Sequence, residues 1–176
     1  MKKLSIVFTI LFLCVALPAH AQNIALADAD YLMNVSEAAK SIKKQLKTQE
    51  EKFKSDFQSV QEKLKKEEQD IIKTKQNFTE AELKKQILTF RGKMQDEEIK
   101  FKKKRDSLDL AATNAINELQ KEVGLVIQEI AKEKSIDIVL SKQNTLFAAA
   151  GQIDITQDVL QRLNAKKKSI QVKTSQ

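Results

Sequence analysis

Apolar residues recur every seven positions through the middle of the chain. Leu46, Phe53 and Val60 form one row, and Phe57, Leu64, Ile71 and Phe78 form a second row offset by four. Two rows at that offset make the a/d seam of a coiled coil. Farther on, Ile87, Met94, Phe101, Leu108 and Ala115 again recur every seven, and Leu83 and Phe90 begin the companion row. Ile116, Leu119, Val123, Val126, Ile127 and Ile130 then widen the stripe, as happens where a helix enters a body. Between the two series, Thr79 followed by Glu82 fits a capping box, so the helices break near residues 74–79. The pattern predicts one antiparallel helical hairpin over residues 36–134. At 1.5 Å per residue the outgoing arm spans roughly 60 Å, too long to fold around its own core, so it must project.

The seam is imperfect. Glu50, Glu67 and Thr74 fall at core positions on the outgoing arm and Glu97 on the return, and Gly92 interrupts the second helix. Such flaws suit a pliant arm better than a rigid spacer. Three aliphatic residues fall off the seam: Ile72 and Leu88 at position b and Ile99 at position f.

Outside the hairpin the period changes. Residues 23–30 alternate Ile24, Leu26 and Asp28 with three alanines, which reads as a short strand packed on both faces. Asn34 or Ser36 can cap the first arm. Residues 135–141, carrying Ile136, Ile138, Val139 and Leu140, read as a second strand. Residues 145–150, centred on Leu146 and Phe147, read as a third, ended by Gly151. Asp154 and Thr156 precede a short helix with Val159, Leu160 and Leu163 on one face. Residues 165–176 carry four lysines and little apolar content, so a disordered tail is expected. The fold class is therefore mainly α, a long coiled-coil arm on a small β-containing body formed by residues 22–35 and 135–164.

Composition narrows the function. Lys2 and Lys3, the apolar stretch over 4–17 and Ala19-His20-Ala21 describe a cleaved export signal over residues 1–21. With it go Cys14, Pro18 and His20, each the chain's sole residue of its type. The remainder can form no disulfide, no Cys/His metal site and no catalytic set built on Cys or His. No glycine-rich loop or nucleophile turn groups the other polar residues, so neither an enzyme nor a cofactor is expected. A body of about 45 residues without staples is too small to bury an adequate core alone. Association through Ile24, Leu26, Ile136, Ile138, Leu140, Leu146 and Phe147 is the remaining ordinary solution, with the copy number left open.

The body residues carry a resemblance. Ile24 to Asp28, Ile136 to Leu140, Leu146 to Ala150, and above all Asp154-Ile155-Thr156 with Val159-Leu160 and Leu163-Asn164 resemble the OmpH/Skp family of periplasmic chaperones. The resemblance implies a homotrimer whose three arms enclose a cavity. It also implies ATP-independent holding of unfolded outer-membrane proteins in the periplasm. The tail beyond Asn164 lies outside the family pattern. A structural spacer or adaptor of the cell envelope is the alternative.

Two surfaces of the arms are candidates for client binding. Residues 61–105 carry 14 Lys or Arg against 9 Asp or Glu, a net +5, densest at Lys100, Lys102, Lys103, Lys104 and Arg105. Such a field attracts acidic clients or an anionic membrane surface; a solvated helix face is the bland reading. The second surface is the off-seam set Ile72, Leu88 and Ile99, with Phe78 near the turn, set against ordinary surface exposure. The positive charge would also allow nonspecific phosphate binding, but no reading motif accompanies it and export removes the chain from nucleic acid.

Overall fold

The computed structural model describes residues 22–149 and 151–174, so the export signal expected over 1–21 lies outside the described residues. The chain opens with β1 (Ile24–Ala27), then a short helix α1 (Ala29–Val35), then the outgoing arm α2 (Glu37–Thr74). A 3₁₀ turn (Lys75–Asn77) leads into the return arm α3 (Glu80–Glu133). The rest is β2 (Ile138–Ser141), a second 3₁₀ turn (Lys142–Asn144), β3 (Ile153–Asp154) and α4 (Thr156–Lys166).

Each helix start has a visible cause. Asp28, anticipated as a strand residue, instead caps α1 by accepting the Tyr31 N–H at 2.8 Å. Ser36 is fully buried and caps α2 through the Ala39 N–H. Thr79 and Glu82 form the complete capping box of α3, each side chain satisfying the other's backbone N–H. The end of α3 is a Schellman motif: the Ile136 N–H reaches Ala131 O at 2.8 Å and the Ser135 N–H reaches Lys132 O at 3.3 Å. Ser135 takes the left-handed position at φ 52°, where glycine is usual.

The sheet is small and parallel throughout, in the order β2-β1-β3. Ile24 to Ala27 pair with Ile138 to Ser141, and Ala25 and Leu26 pair with Ile153 and Asp154. Between β1 and β2 the whole hairpin is inserted as the crossover. The third strand expected over 145–150 is not there; residues 145–149 form no strand. Gly151 at φ 93° instead turns the chain so that residues 153 and 154 lie along β1. The apolar run around Leu146 and Phe147 has the composition of a strand, but both side chains stand exposed.

Burial divides the molecule sharply. Ala38, Ala39 and Ile42 of α2 join Ala111, Ala115, Leu119, Val123, Val126 and Ile130 of α3 in one core with Ala25, Leu32, Ile155, Val159 and Leu163. Among the described residues, none between 43 and 110 is buried. The body is thus larger than the two terminal segments, because the last turns of α3 and the first of α2 belong to its core. This corrects the bounds expected for the body, residues 22–35 and 135–164.

The tail is a second correction. Residues 167–174 are not loose: Ile170 and Val172 are buried in the same core, while Ser169, Gln171 and Lys173 face solvent. Lysine content suggested disorder, but two apolar residues spaced by two suffice to anchor the segment.

At 1.5 Å per residue, the 38 residues of α2 span about 57 Å and the 54 of α3 about 80 Å. The excess of α3 is the part that enters the body. What projects is a two-helix arm, half-buried along one seam and wet everywhere else.

Candidate functional site on the arms

The arms meet through half-buried rows: Leu46, Phe53, Val60, Leu64 and Ile71 on α2, and Leu83, Phe90, Phe101 and Leu108 on α3, with Phe78 half-buried at the turn between them. Near the middle, Phe53, Phe57 and Phe101 cluster. Phe101 lies edge-on to both others, with ring centroids 5.6 and 5.0 Å away, and Phe53 stacks on Phe57 at 6.4 Å. Edge-to-face pairs add about 0.5–1.5 kcal/mol beyond the area they bury. These rings fasten the arms to each other.

Two of the polar interruptions of the seam, Glu67 and Glu97, are paired with lysines. Lys93 Nζ sits 2.6 Å from Glu67 Oε1 across the two arms. Lys100 bonds Glu97 at 2.7 Å one turn away along α3. Lys104 reaches across to Asp56 at 2.5 Å. Hydrogen bonding to Lys104 holds the Asp56 carboxyl below its usual range, and the Glu97 hydrogen bond raises the Lys100 ammonium. Within the basic cluster Lys100 and Lys104 pair with carboxylates, and all five side chains of the cluster are exposed.

Nearer the tip, a groove of about 370 Å³ lies between the arms. Ile71, Ile72, Leu83, Ile87, Phe90 and Met94 line it, with Glu68, Lys75 and Arg91 at its rim. Ile87 and Met94 follow the heptad repeat, yet they are 37% and 48% exposed. Leu83 and Phe90 are the half-buried row here, and the row of Ile87 and Met94 stands open to solvent. Of the off-seam aliphatics, Ile72 (58% exposed) borders this groove. Leu88 and Ile99, at 59% and 45% exposed, are isolated surface residues outside it. Phe78 is half-buried at the turn, where its N–H closes the 3₁₀ turn on Lys75 O. Sequence spacing missed Ile87 and Met94 because a strict heptad count assigns them to the seam.

A second opening of about 770 Å³ lies closer to the body, floored by Phe53 and Leu108 and ringed by Lys52, Lys100, Lys103 and Lys104. Both openings are broad clefts with mixed apolar and charged walls. Among the described residues no group of His, Cys, Asp and Glu could hold a metal ion, and no helix is long and apolar enough to cross a membrane.

The residues singled out for association fall into two groups. Ile136 is buried in the chain's own core, Leu26 is buried outside that cluster and Ile24 is half-buried. Ile138, Leu140, Leu146 and Phe147 are exposed, and Ile153, which the sequence did not single out, joins them.

A small parallel sheet carrying a long helical hairpin defines a tentacled protein with its apolar clefts on the tentacle. Residues 23–163 match the family described as outer membrane protein (OmpH-like), and the chain belongs to that family. A solved structure from Caulobacter crescentus CB15, described as that of a candidate outer membrane chaperone (OmpH-like), superposes with a TM-score of 0.80 at 17% identity. The match covers 89% of this chain and 92% of that one. At that identity the likeness establishes the fold. No curated protein matches the chain.

Proposed function

We propose that this chain is a periplasmic holdase that binds unfolded outer-membrane proteins between its arms and releases them without nucleotide. The observation that carries the proposal is the distal groove. Ile72, Ile87 and Met94 stand partly exposed on a projecting hairpin whose own packing is supplied by other residues. Exposed aliphatic and methionine side chains ringed by charge give weak, adaptable contacts to chains without fixed shape. Lys102, Lys103 and Arg105 add a long-range field that speeds encounter and fades with salt. The export signal over 1–21 delivers the chain to the compartment where such clients pass.

The working unit is a homotrimer joined through Ile138, Leu140, Leu146, Phe147 and Ile153. Their exposure on the body supports this, since a body that buries its own core has no other use for that surface. Analytical ultracentrifugation of the full chain should give three copies at micromolar concentration. A Leu146→Asp, Phe147→Asp variant should sediment as a folded monomer. A wild-type monomer would remove the trimer and its cavity from the account.

An envelope spacer with one fixed partner is the second reading. The aromatic cluster and cross-arm ion pairs favour it, since they stiffen the hairpin. Dilution of an unfolded β-barrel protein from denaturant separates the two. A holdase keeps turbidity low, and deletion of residues 61–105 abolishes that protection while the body stays folded. Turbidity unchanged by the full chain would favour the spacer.

A further inference from the structure

The tail lies on the arm base in a manner that describes a binding site. Gln45 of α2 donates through Nε2 to Ile170 O at 2.7 Å and accepts the Val172 N–H on Oε1 at 3.1 Å. One carboxamide thus engages two backbone groups that flank Gln171, as a residue of a neighbouring parallel strand would. One turn on, Gln49 donates to Val172 O at 3.1 Å. Its Oε1 is buried and has no hydrogen-bond partner among the described residues, an acceptor left open for one more N–H. The two spacings agree: four helical residues rise about 6 Å, and two residues of extended chain advance about 6.6 Å. Ser41 begins the row by bonding Ser169 at 3.0 Å. Lys167, paired with Glu118 at 3.0 Å and Glu122 at 3.4 Å, anchors the segment's start. Past the last rung, Thr174 borders the wider cleft floored by Phe53 and Leu108.

We propose that Ser41, Gln45 and Gln49 form a receptor for extended peptide segments, occupied in cis by residues 168–174 and open to other strands when the tail leaves. The ligand class follows from what is held. Backbone groups are bonded, so the sequence is little restricted, except that proline cannot stand where the Val172 N–H is used. Side chains alternate, apolar inward at Ile170 and Val172 and polar outward at Ser169, Gln171 and Lys173. That alternation is the pattern of a transmembrane β-barrel strand. The tail is then an internal competitor that keeps the receptor covered until a client segment displaces it. Identifying the competing strand as a client rests on the holding role proposed above; the receptor itself does not.

A tethered occupant acts at an effective concentration of roughly millimolar, so an intrinsic affinity near 100 μM would weaken an outside peptide about tenfold. Fluorescence anisotropy tests this with two labelled probes: a peptide of residues 167–174, and a designed octapeptide alternating Val and Thr. The full chain carrying Ile170→Asp and Val172→Asp, which frees the site, should bind both at least tenfold more tightly than wild type. Adding Gln45→Ala and Gln49→Ala should reverse the gain. Equal binding to wild type and the freed variant, or a gain that survives loss of both glutamines, overturns the receptor. Binding of the tail peptide alone overturns the displacement by other strands. Should the freed variant lose helicity, amide exchange in the wild type decides: the Val172 amide must be protected, and Gln45→Ala must expose it. An unprotected Val172 amide overturns the proposal. Peptide capture without suppression of client aggregation would instead remove the holding role and leave the receptor standing.

Discussion

Glu67 on the outgoing arm accepts from Lys93 on the returning arm at 2.6 Å, a carboxylate in a hydrophobic repeat answered by a cation across the seam. Lys93 is just over half exposed, so solvent screening leaves the pair worth about 0.5 kcal/mol or less. Glu67→Ala should therefore shift the thermal midpoint little. Glu67→Leu should raise it, because it restores an apolar knob to the seam. Circular dichroism melts of both variants check this. A large loss in Glu67→Ala would mean that the arm depends on its ion pairs.

Two backbone sites predict stabilisation by opposite substitutions. At Gly92, mid-helix, a Cβ meets nothing within 4 Å. Gly92→Ala should add about 0.5–1 kcal/mol. Ser135 sits at φ 52° in the Schellman motif, so Ser135→Gly should add a similar amount by relieving the left-handed penalty, about 1 kcal/mol. Urea denaturation measures both. Loss of stability in Ser135→Gly would show that its side chain, rather than its backbone, holds that corner.

Acid should loosen the protein at identifiable places. Asp56 is held below its ordinary 3.8 by Lys104, Glu82 below 4.5 by the Thr79 backbone and hydroxyl, and Glu133 below 4.5 by Arg162. For Asp154, burial pushes upward but hydrogen bonds from Thr156 and Lys142 outweigh it, and the net direction is down. Depressed carboxyls bind protons more weakly folded than unfolded. Their contribution is complete above the ordinary values and is lost as pH falls through the folded ones. The urea midpoint should be flat from about pH 5.5 to 8 and drop between about pH 4.5 and 3. Equal midpoints at pH 3 and 7 would contradict these assignments.

The hairpin was legible because its signals are local. The heptad rows, the Thr79 and Glu82 box and the break near residue 75 all depend on neighbours in sequence. Other features were not, because they depend on contacts made after folding. Ile87 and Met94 obey the repeat, yet in the folded hairpin both stand exposed. Leu146 and Phe147 have strand composition, yet β1 already pairs with β2 on one edge and with residues 153 and 154 on the other. Ile170 and Val172 are two apolar residues among lysines, too few to signal order until Gln45 and Gln49 are seen beside them. The groove proposed for capture is half legible for the same reason: Ile72 stands out by its position off the seam, while Ile87 and Met94, which line the same groove, sit on the heptad rows.

The central claim is that the distal groove holds unfolded chains. Light scattering after dilution of a denatured β-barrel protein tests it directly, comparing wild type with Ile72→Ser, Ile87→Ser, Met94→Ser and with the control Leu88→Ser, Ile99→Ser. Each fully buried aliphatic contact is worth at most about 1.5–3 kcal/mol, so loss of three partial contacts should weaken holding tenfold or more. The account predicts that the groove variant, still helical, lets scattering rise toward the level without the chain, while the control suppresses it nearly as well as wild type. Full suppression by the groove variant would contradict it.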